Sequence, residues 1–252
     1  SSVTFSLAPP DTLLDNNDIN VYCPSTNIPS FNDIDNDGDM DILSWDPLGF
    51  TINLYKNWRV EKGLPNDQWK YKLADECWGK FYLAYALVLG YHCQGFAYYP
   101  NGDDYTPPPA PGGAGGYIKP VHSGSTLLTL DMDSDGDYEA FLGDIYYNYL
   151  YFLKNRRVES SYPKDTMIAK DSMYPSPAQR MAVDNFPAAY FIDVNNDGKR
   201  DIILAPNDAS GASKNKNQIY LYNNIGTDRK PIFNLVQQNF LQETTIDFGS
   251  IT

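Results

Sequence analysis

The stretch Asp33-Ile34-Asp35-Asn36-Asp37-Gly38-Asp39-Met40-Asp41 has two further copies in the chain, at 131–139 and 193–201. Every copy carries an oxygen-bearing side chain at its positions 1, 3, 5 and 9, and a glycine at position 6. Glycine adopts positive φ angles without strain, so position 6 can make the sharp turn that folds later side chains back toward earlier ones. The repetition predicts three loops that gather carboxylates, since chance Asp-Gly turns would not share one spacing.

The alternating oxygens match the first half of the calcium loop of EF-hands, in which position 7 contributes its backbone carbonyl. An EF-hand itself is disfavoured because position 12 holds Ser44, Leu142 or Leu204 where that motif needs glutamate. An all-oxygen site suits Ca²⁺ better than Mg²⁺, and no loop contains the His or Cys that would favour zinc or copper. With Asp39, Asp137 and Lys199 acting through their carbonyls, the ligands expected for about three Ca²⁺ ions are Asp33, Asp35, Asp37, Asp39, Asp41, Asp131, Asp133, Asp135, Asp137, Glu139, Asp193, Asn195, Asp197, Lys199 and Asp201.

The composition narrows the classes of partner. The chain has 252 residues and a formal charge of -13, and thirteen of its 32 acidic residues lie in the three loops. Nucleic acid and anionic lipid both need clustered Lys and Arg, so neither is expected to bind. The longest apolar run, 81–90, is shorter than the ~20 residues of a membrane-spanning helix, so we expect no direct membrane insertion.

Short segments with the alternation of strands flank each loop, one before it and three after it. An asparagine follows the third segment, 24 residues after the loop begins in two copies (Asn57, Asn155) and 30 residues after in the third (Asn223). Repeated four-stranded units of about 60 residues are typical of β-propeller blades. The predicted strands are 28–34, 40–45, 51–56 and 69–73, then 125–130, 138–142, 149–154 and 166–170, then 187–192, 200–204, 219–222 and 232–236.

The predicted fold is therefore all-β, a partial propeller with about three to four antiparallel four-stranded blades. Complete blades are expected at 28–73, 120–180 and 181–240. Residues 1–27, with a strand at 3–7, would end a preceding blade, and 241–252 would start a further one, so we expect the remaining blades to belong to a longer chain.

Residues 74–119 interrupt the repeat as an insertion. Cys77 and Cys93 both lie in it and are the candidate disulfide pair, with buried thiols as the alternative. A Pro/Gly tract at 107–116 follows and predicts an extended loop. The aromatic residues of the insertion could bind a sugar or protein, or the insertion could simply cover one edge of the propeller.

The three units resemble FG-GAP/VCBS repeats, the calcium-binding propeller blades found also in integrin α-chain heads, and the loop ligands named above are the positions that match that family's pattern. The stretches 115–126 and 239–242 are similar to large secreted bacterial propellers, many of which are cargo of type IX secretion. The resemblance implies an extracellular or cell-surface location. Glu139 departs from the pattern by replacing the usual Asp at position 9.

Three functions remain open at this point. The favoured one is a calcium-stabilised binding or adhesion module with a protein or glycan partner at the cell surface. The second is part of a secreted polysaccharide lyase or hydrolase, for which the acid/base candidates are His92, His122, Tyr91, Asp103 and Asp104. No triad spacing accompanies His122, so a non-enzymatic role is expected. The third is a purely structural scaffold segment.

Overall fold

The computed structural model describes residues 21–23, 26–66, 68–83, 86–90, 125–207 and 216–244. The predicted strand at 3–7, the Pro/Gly tract, Cys93 and all five acid/base candidates lie outside the described residues. The predicted all-β class is confirmed, because the described chain consists of antiparallel strands and two short 3-10 turns.

Twelve of the strands form three four-stranded antiparallel sheets, each a meander in which neighbours in sequence are neighbours in space. Sheet 1 contains β1 (Ser30–Asn32), β2 (Asp41–Trp45), β3 (Ile52–Asn57) and β4 (Tyr71–Asp75). After the hairpin of β5 (Phe81–Leu83) and β6 (Leu87–Leu89), sheet 2 contains β7 (Ser125–Leu130), β8 (Glu139–Asp144), β9 (Tyr151–Asn155) and β10 (Met167–Asp171). Sheet 3 contains β11 (Pro187–Ile192), β12 (Asp201–Pro206), β13 (Tyr220–Asn224) and β14 (Phe233–Gln237).

Each Asp loop connects the first strand of its sheet to the second, as the sequence predicts. We call a sheet together with its loop a unit. The loop's last carboxylate, at position 9, is the first residue of the second strand in all three units: Asp41, Glu139 and Asp201.

A buried asparagine ends the third strand of every sheet. The Oδ1 atom of Asn155 accepts the N–H groups of Arg157 (3.3 Å) and Thr166 (2.9 Å), which fastens the turn to the fourth strand. In unit 3 this role belongs to Asn224, which accepts from Gly226 and Ile232. The alignment of Asn223 with Asn57 and Asn155 is therefore wrong by one residue, because the longer β12–β13 connection shifts the register.

Two apolar clusters fill the spaces between neighbouring sheets. Leu43 and Trp45 of sheet 1 belong to one cluster with Leu142 and Leu153 of sheet 2. The opposite face of sheet 2 contributes residues such as Phe141 to a second cluster that includes buried side chains of sheet 3. Sheet 2 is thus covered on both faces, and each unit buries its apolar surface against its neighbours, as in repeat proteins.

The first strands of adjacent sheets also lie side by side. Ile28 forms a parallel bridge with Thr126, and its N–H donates to the Ser125 carbonyl at 3.1 Å. On the other side, the Thr126 hydroxyl donates to the Pro187 carbonyl at 2.8 Å. A side chain at Gly143 would place its Cβ 1.8 Å from that carbonyl, so only glycine permits this approach of β8 to β11.

The described part of the insertion belongs to the core. Trp78, in a 3-10 turn at Trp78–Lys80, is buried together with Phe81, Leu83 and Leu87 in the cluster between sheets 1 and 2. Cys77 is disulfide-bonded, but Cys93 lies outside the described residues, so their pairing stays a prediction. Among the residues that the structure describes, no helix has the length and apolar character to cross a bilayer.

Candidate metal centres

The three Asp loops share one backbone conformation. Position 4 has φ of 62° (Asn36), 62° (Ser134) and 60° (Asn196), and position 6 has φ of 99° (Gly38), 88° (Gly136) and 82° (Gly198). Asn is among the few non-glycine residues that adopt such angles readily, and glycine does so freely. Two left-handed residues close together bend the chain so that its alternate side chains converge.

The carboxylates at positions 1 and 5 stabilise this bend from inside. Asp33 accepts the N–H groups of Asp37 and Gly38, both at 2.9 Å, and Asp37 accepts the N–H of Asp39 at 3.0 Å. The same contacts recur in the other loops, from Asp131 and Asp135 and from Asp193 and Asp197. The acidic residues therefore fold the loop, whether or not it binds an ion.

The carboxylate at position 9 is buried, and its hydrogen bonds connect the loop to the rest of the sheet. Asp41 accepts the Ile34 N–H with Oδ2 and the Asn57 N–H with Oδ1, both at 2.9 Å. Asp201 makes the equivalent contacts with Val194 (3.3 Å) and Asn224 (2.8 Å).

Glu139 differs from the two aspartates because of its extra methylene. Its Oε2 accepts the Met132 N–H at 3.0 Å, but in the described part of the chain its buried Oε1 has no hydrogen-bond partner. One oxygen from each of Glu139, Asp131 and Asp133 lies within 4.8 Å of the other two. The longer arm thus leaves one oxygen directed toward the other loop carboxylates.

The loops of units 1 and 2 gather carboxylates closely enough to share an ion. In unit 1 the group is Asp33, Asp35 and Asp37, again within 4.8 Å. Buried oxygens that lack a donor among the described residues accompany these groups: Asp37 Oδ2, Asp133 Oδ1, Asp135 Oδ2 and Glu139 Oε1. An ionised carboxylate can only accept, so a cation is one group that would satisfy these oxygens.

The raised pKa values of these carboxylates also favour a bound cation. Burial raises the pKa of Asp37 to about 6 and the pKa of Glu139 to about 8. Neighbouring acids add to both effects, Asp35 for Asp37 and Asp133 for Glu139. A bound cation would favour the ionised forms and lower both pKa values.

The third loop is more exposed and contains fewer acids. Asn195 donates to Asp197 Oδ2 at 3.2 Å, and Lys199 Nζ lies 3.6 Å from the same oxygen. Within the described ranges, no three carboxylates of unit 3 come as close as those of units 1 and 2. Its oxygens at positions 1, 3, 5 and 9 still follow the common backbone, so a weaker site is expected there.

Two features of the sites escaped the sequence analysis. The side chains of Asp39 and Asp137, expected to act only through their carbonyls, are buried beside the other acids. Glu61 and Glu159, which follow the third strands, also lie within 4.8 Å of loop carboxylates. The shared pattern Lys-Asn-x-Arg-Val-Glu at 56–61 and 154–159 was the available signal.

No protein-family model, no curated protein and no solved structure matches this chain. Function therefore has to be argued from the geometry of the loops and from the packing of the sheets.

Proposed function

We propose that this chain is a calcium-stabilised, extracellular β-propeller module of the FG-GAP/VCBS kind that binds a partner at the cell surface. The observation that carries the proposal is the set of buried carboxylate oxygens in the first two loops, for which the described residues offer no hydrogen-bond donor. The expected metal-ligating atoms are all oxygens, some of them from main-chain carbonyls, which is the ligand chemistry of Ca²⁺.

The packing of the sheets supports the propeller. The structure has four-stranded meanders that cover each other face to face, with their first strands adjacent, and this packing is the one expected of propeller blades. The three units would be consecutive blades of one ring. The Asp loops would then all lie at one edge of the ring, between the first and second strands.

Calcium would have a structural role in this arrangement. The ion would neutralise carboxylates that the fold already buries, and it would hold the first hairpin of each blade closed. An ion that binds only the folded state stabilises that state by roughly 2.7 kcal/mol at a hundred times its dissociation constant. Extracellular sites of this type can be weak, because calcium outside the cell is abundant.

Thermal unfolding with and without calcium tests the proposal. We expect calcium to raise the Tm of the metal-free protein by roughly 5–10 °C for each filled site, with a smaller effect of magnesium. Asp133→Asn should lose part of this increase because Asp133 contributes a buried oxygen with no donor among the described residues. Asp171→Asn, which removes an exposed charge outside the loops, is the matched control and should keep the whole increase. An unchanged Tm in demonstrably metal-free protein would refute the proposal.

The partner would be a protein or a glycan bound by the loops of the propeller, and its capture should require calcium. Capture of the same partner in a chelator would contradict this part of the proposal. Roles as a polysaccharide lyase or hydrolase, or as a scaffold segment, stay as alternatives. The enzymatic alternative depends on His92 and His122, which lie outside the described residues.

A further inference from the structure

A second group of carboxylates adjoins the Asp loop in units 1 and 2. In unit 1 it combines Asp37 and Asp39 of the loop with Glu61, from the turn after the third strand, and their oxygens lie within 4.8 Å of one another. In unit 2 the group is Asp133, Asp135 and Glu159. Glu61 and Glu159 stand at the same place in the repeat, four residues after the asparagine that ends the third strand.

The side chain at position 7 is a buried acceptor in both units, and it belongs to the group in unit 1. Asp39 is only 5% exposed, and its Oδ2 accepts the Val60 N–H at 3.1 Å. Asp137 is fully buried, at 0% exposed, and its Oδ2 accepts the Val158 N–H at 2.8 Å. The other oxygen, Oδ1, has no partner among the described residues in either side chain. Two equivalent carboxylates thus each leave a buried oxygen to which the described residues donate no hydrogen bond, and a cation would satisfy it.

One carboxylate in each unit belongs to both groups. In unit 1, Asp37 belongs both to the group within the Asp loop and to the group that includes the turn glutamate. In unit 2, Asp133 belongs to both groups. A shared carboxylate can bridge two cations, and proteins hold pairs of divalent ions about 4 Å apart in this way.

In unit 3 an arginine side chain neutralises the carboxylate at the position of Glu61 and Glu159, so a second ion is not needed there. Asp228 stands four residues after Asn224, where the other units have Glu61 and Glu159. It accepts two hydrogen bonds from the Arg200 guanidinium, both at 2.9 Å, and these bonds hold its pKa below the usual range. Position 7 in this unit is Lys199, whereas units 1 and 2 have aspartates there and place Met40 and Tyr138 where Arg200 stands.

Lysine side chains supply only part of the missing positive charge in units 1 and 2. Lys56 contacts both Asp35 and Glu61, and Lys154 lies 3.6 Å from both Asp133 and Glu159. In each of these units six acids, the five of the loop and the turn glutamate, outnumber the basic side chains that contact them among the described residues. In unit 3 the corresponding acids are only four, and Lys199 and Arg200 contact two of them. The excess of negative charge is therefore larger in units 1 and 2 than in unit 3.

We propose that units 1 and 2 each bind a second divalent cation, between the Asp loop and the turn that carries Glu61 or Glu159, whereas unit 3 binds a single ion. This inference rests on the proposed calcium sites in the loops. The second ion would fasten the turn after the third strand to the first hairpin, so the pair of ions would connect three strands of one sheet. Arg200 would replace it in unit 3.

Counting bound ions tests the inference. Equilibrium dialysis of the full chain against radiolabelled calcium should give five ions per chain, the total expected from two ions in each of units 1 and 2 and one in unit 3. The variant Glu61→Gln/Glu159→Gln should bind two ions fewer, because both substitutions remove a charge while preserving shape. Asp228→Asn is the matched control and should bind as many ions as the wild type, since Arg200 already neutralises that position.

The outcomes separate the inference from the proposal on which it rests. Equal ion counts in the wild type and the double variant would overturn the second sites and leave the loop sites standing. A wild-type protein that binds no calcium would overturn both. Circular dichroism establishes that the variants are folded, and if the double variant is not, Glu61→Gln and Glu159→Gln alone should each lose one ion.

Discussion

Asp41 and Glu139, the buried carboxylates at position 9 of the first two loops, have strongly raised pKa values. Burial raises the pKa of Asp41 from 3.8 to about 8, although two backbone N–H groups oppose the shift, and it raises the pKa of Glu139 from 4.5 to about 8. Both groups are costly to ionise in the metal-free fold, and a divalent cation removes that cost.

These shifts predict how the stability of the metal-free protein depends on pH. Each folded-state pKa lies above its unfolded-state value, so the folded chain binds more protons between pH 4 and pH 8. The stabilisation from these two acids is complete below about pH 4 and is lost as the pH rises through about 8. We expect the Tm of metal-free protein to fall over this range, and saturating calcium to reduce the fall because it competes with the protons.

Asp41→Asn provides the control, because the variant lacks one of the titrating groups. It should show a shallower fall of Tm with pH than the wild type when both are metal-free. A metal-free wild-type protein that becomes more stable between pH 5 and pH 8 would contradict the assigned direction of the shifts.

At the scale of the strands and turns, the asparagine after the third strand holds each sheet together. Asn224 is buried, accepts two backbone N–H groups and donates to the Thr227 carbonyl at 2.9 Å. Asn224→Ala should lower the free energy of unfolding by about 2 kcal/mol, because three partly buried backbone groups lose their hydrogen-bond partner. Chemical denaturation in calcium measures this change.

The adjacent residue is the matched control. Asn223 pairs with Asn234 in the ladder through its backbone, which alanine preserves, so Asn223→Ala should cost much less. A larger loss from Asn223→Ala than from Asn224→Ala would favour the alignment made from sequence over the one in the structure.

The strands were predictable because the Asp loops fix where they begin and end. The segments at 125–130 and 187–192 coincide with β7 and β11, since a buried alternating run ends at an Asp loop in each case. The contacts of Asp39 and Glu61 were not predictable. They depend on how the turn after the third strand folds over the loop, and the Lys-Asn-x-Arg-Val-Glu pattern at 56–61 and 154–159 marks that turn without showing what it contacts.

At the scale of the whole chain, the loops connect the units as well as closing their own hairpins. Asn36 of the first loop donates to the Gly136 carbonyl of the second at 2.9 Å, and Ser134 donates to the Arg229 carbonyl of unit 3. An ion that fixes one loop would therefore also restrain the neighbouring unit. The repeat predicts such neighbours, but the side chains that join them differ from unit to unit.

Two aromatic residues of the insertion pack in the core. Trp78 and Phe81 fill the space between sheets 1 and 2, and the Trp45 and Phe81 rings meet edge to face at 6.3 Å. An aromatic side chain that binds a ligand and one that packs in a core look alike in sequence. A binding role for the aromatic residues at 91–119 stays a prediction, because they lie outside the described residues.

Anomalous scattering from crystals grown in calcium tests the central claim most directly, because it locates the ions. We expect a peak in each of the loops 33–41, 131–139 and 193–201, about 2.4 Å from the oxygens of the carboxylates that converge there. Well-ordered loops without such peaks, in crystals saturated with calcium, would contradict the claim that these residues bind calcium.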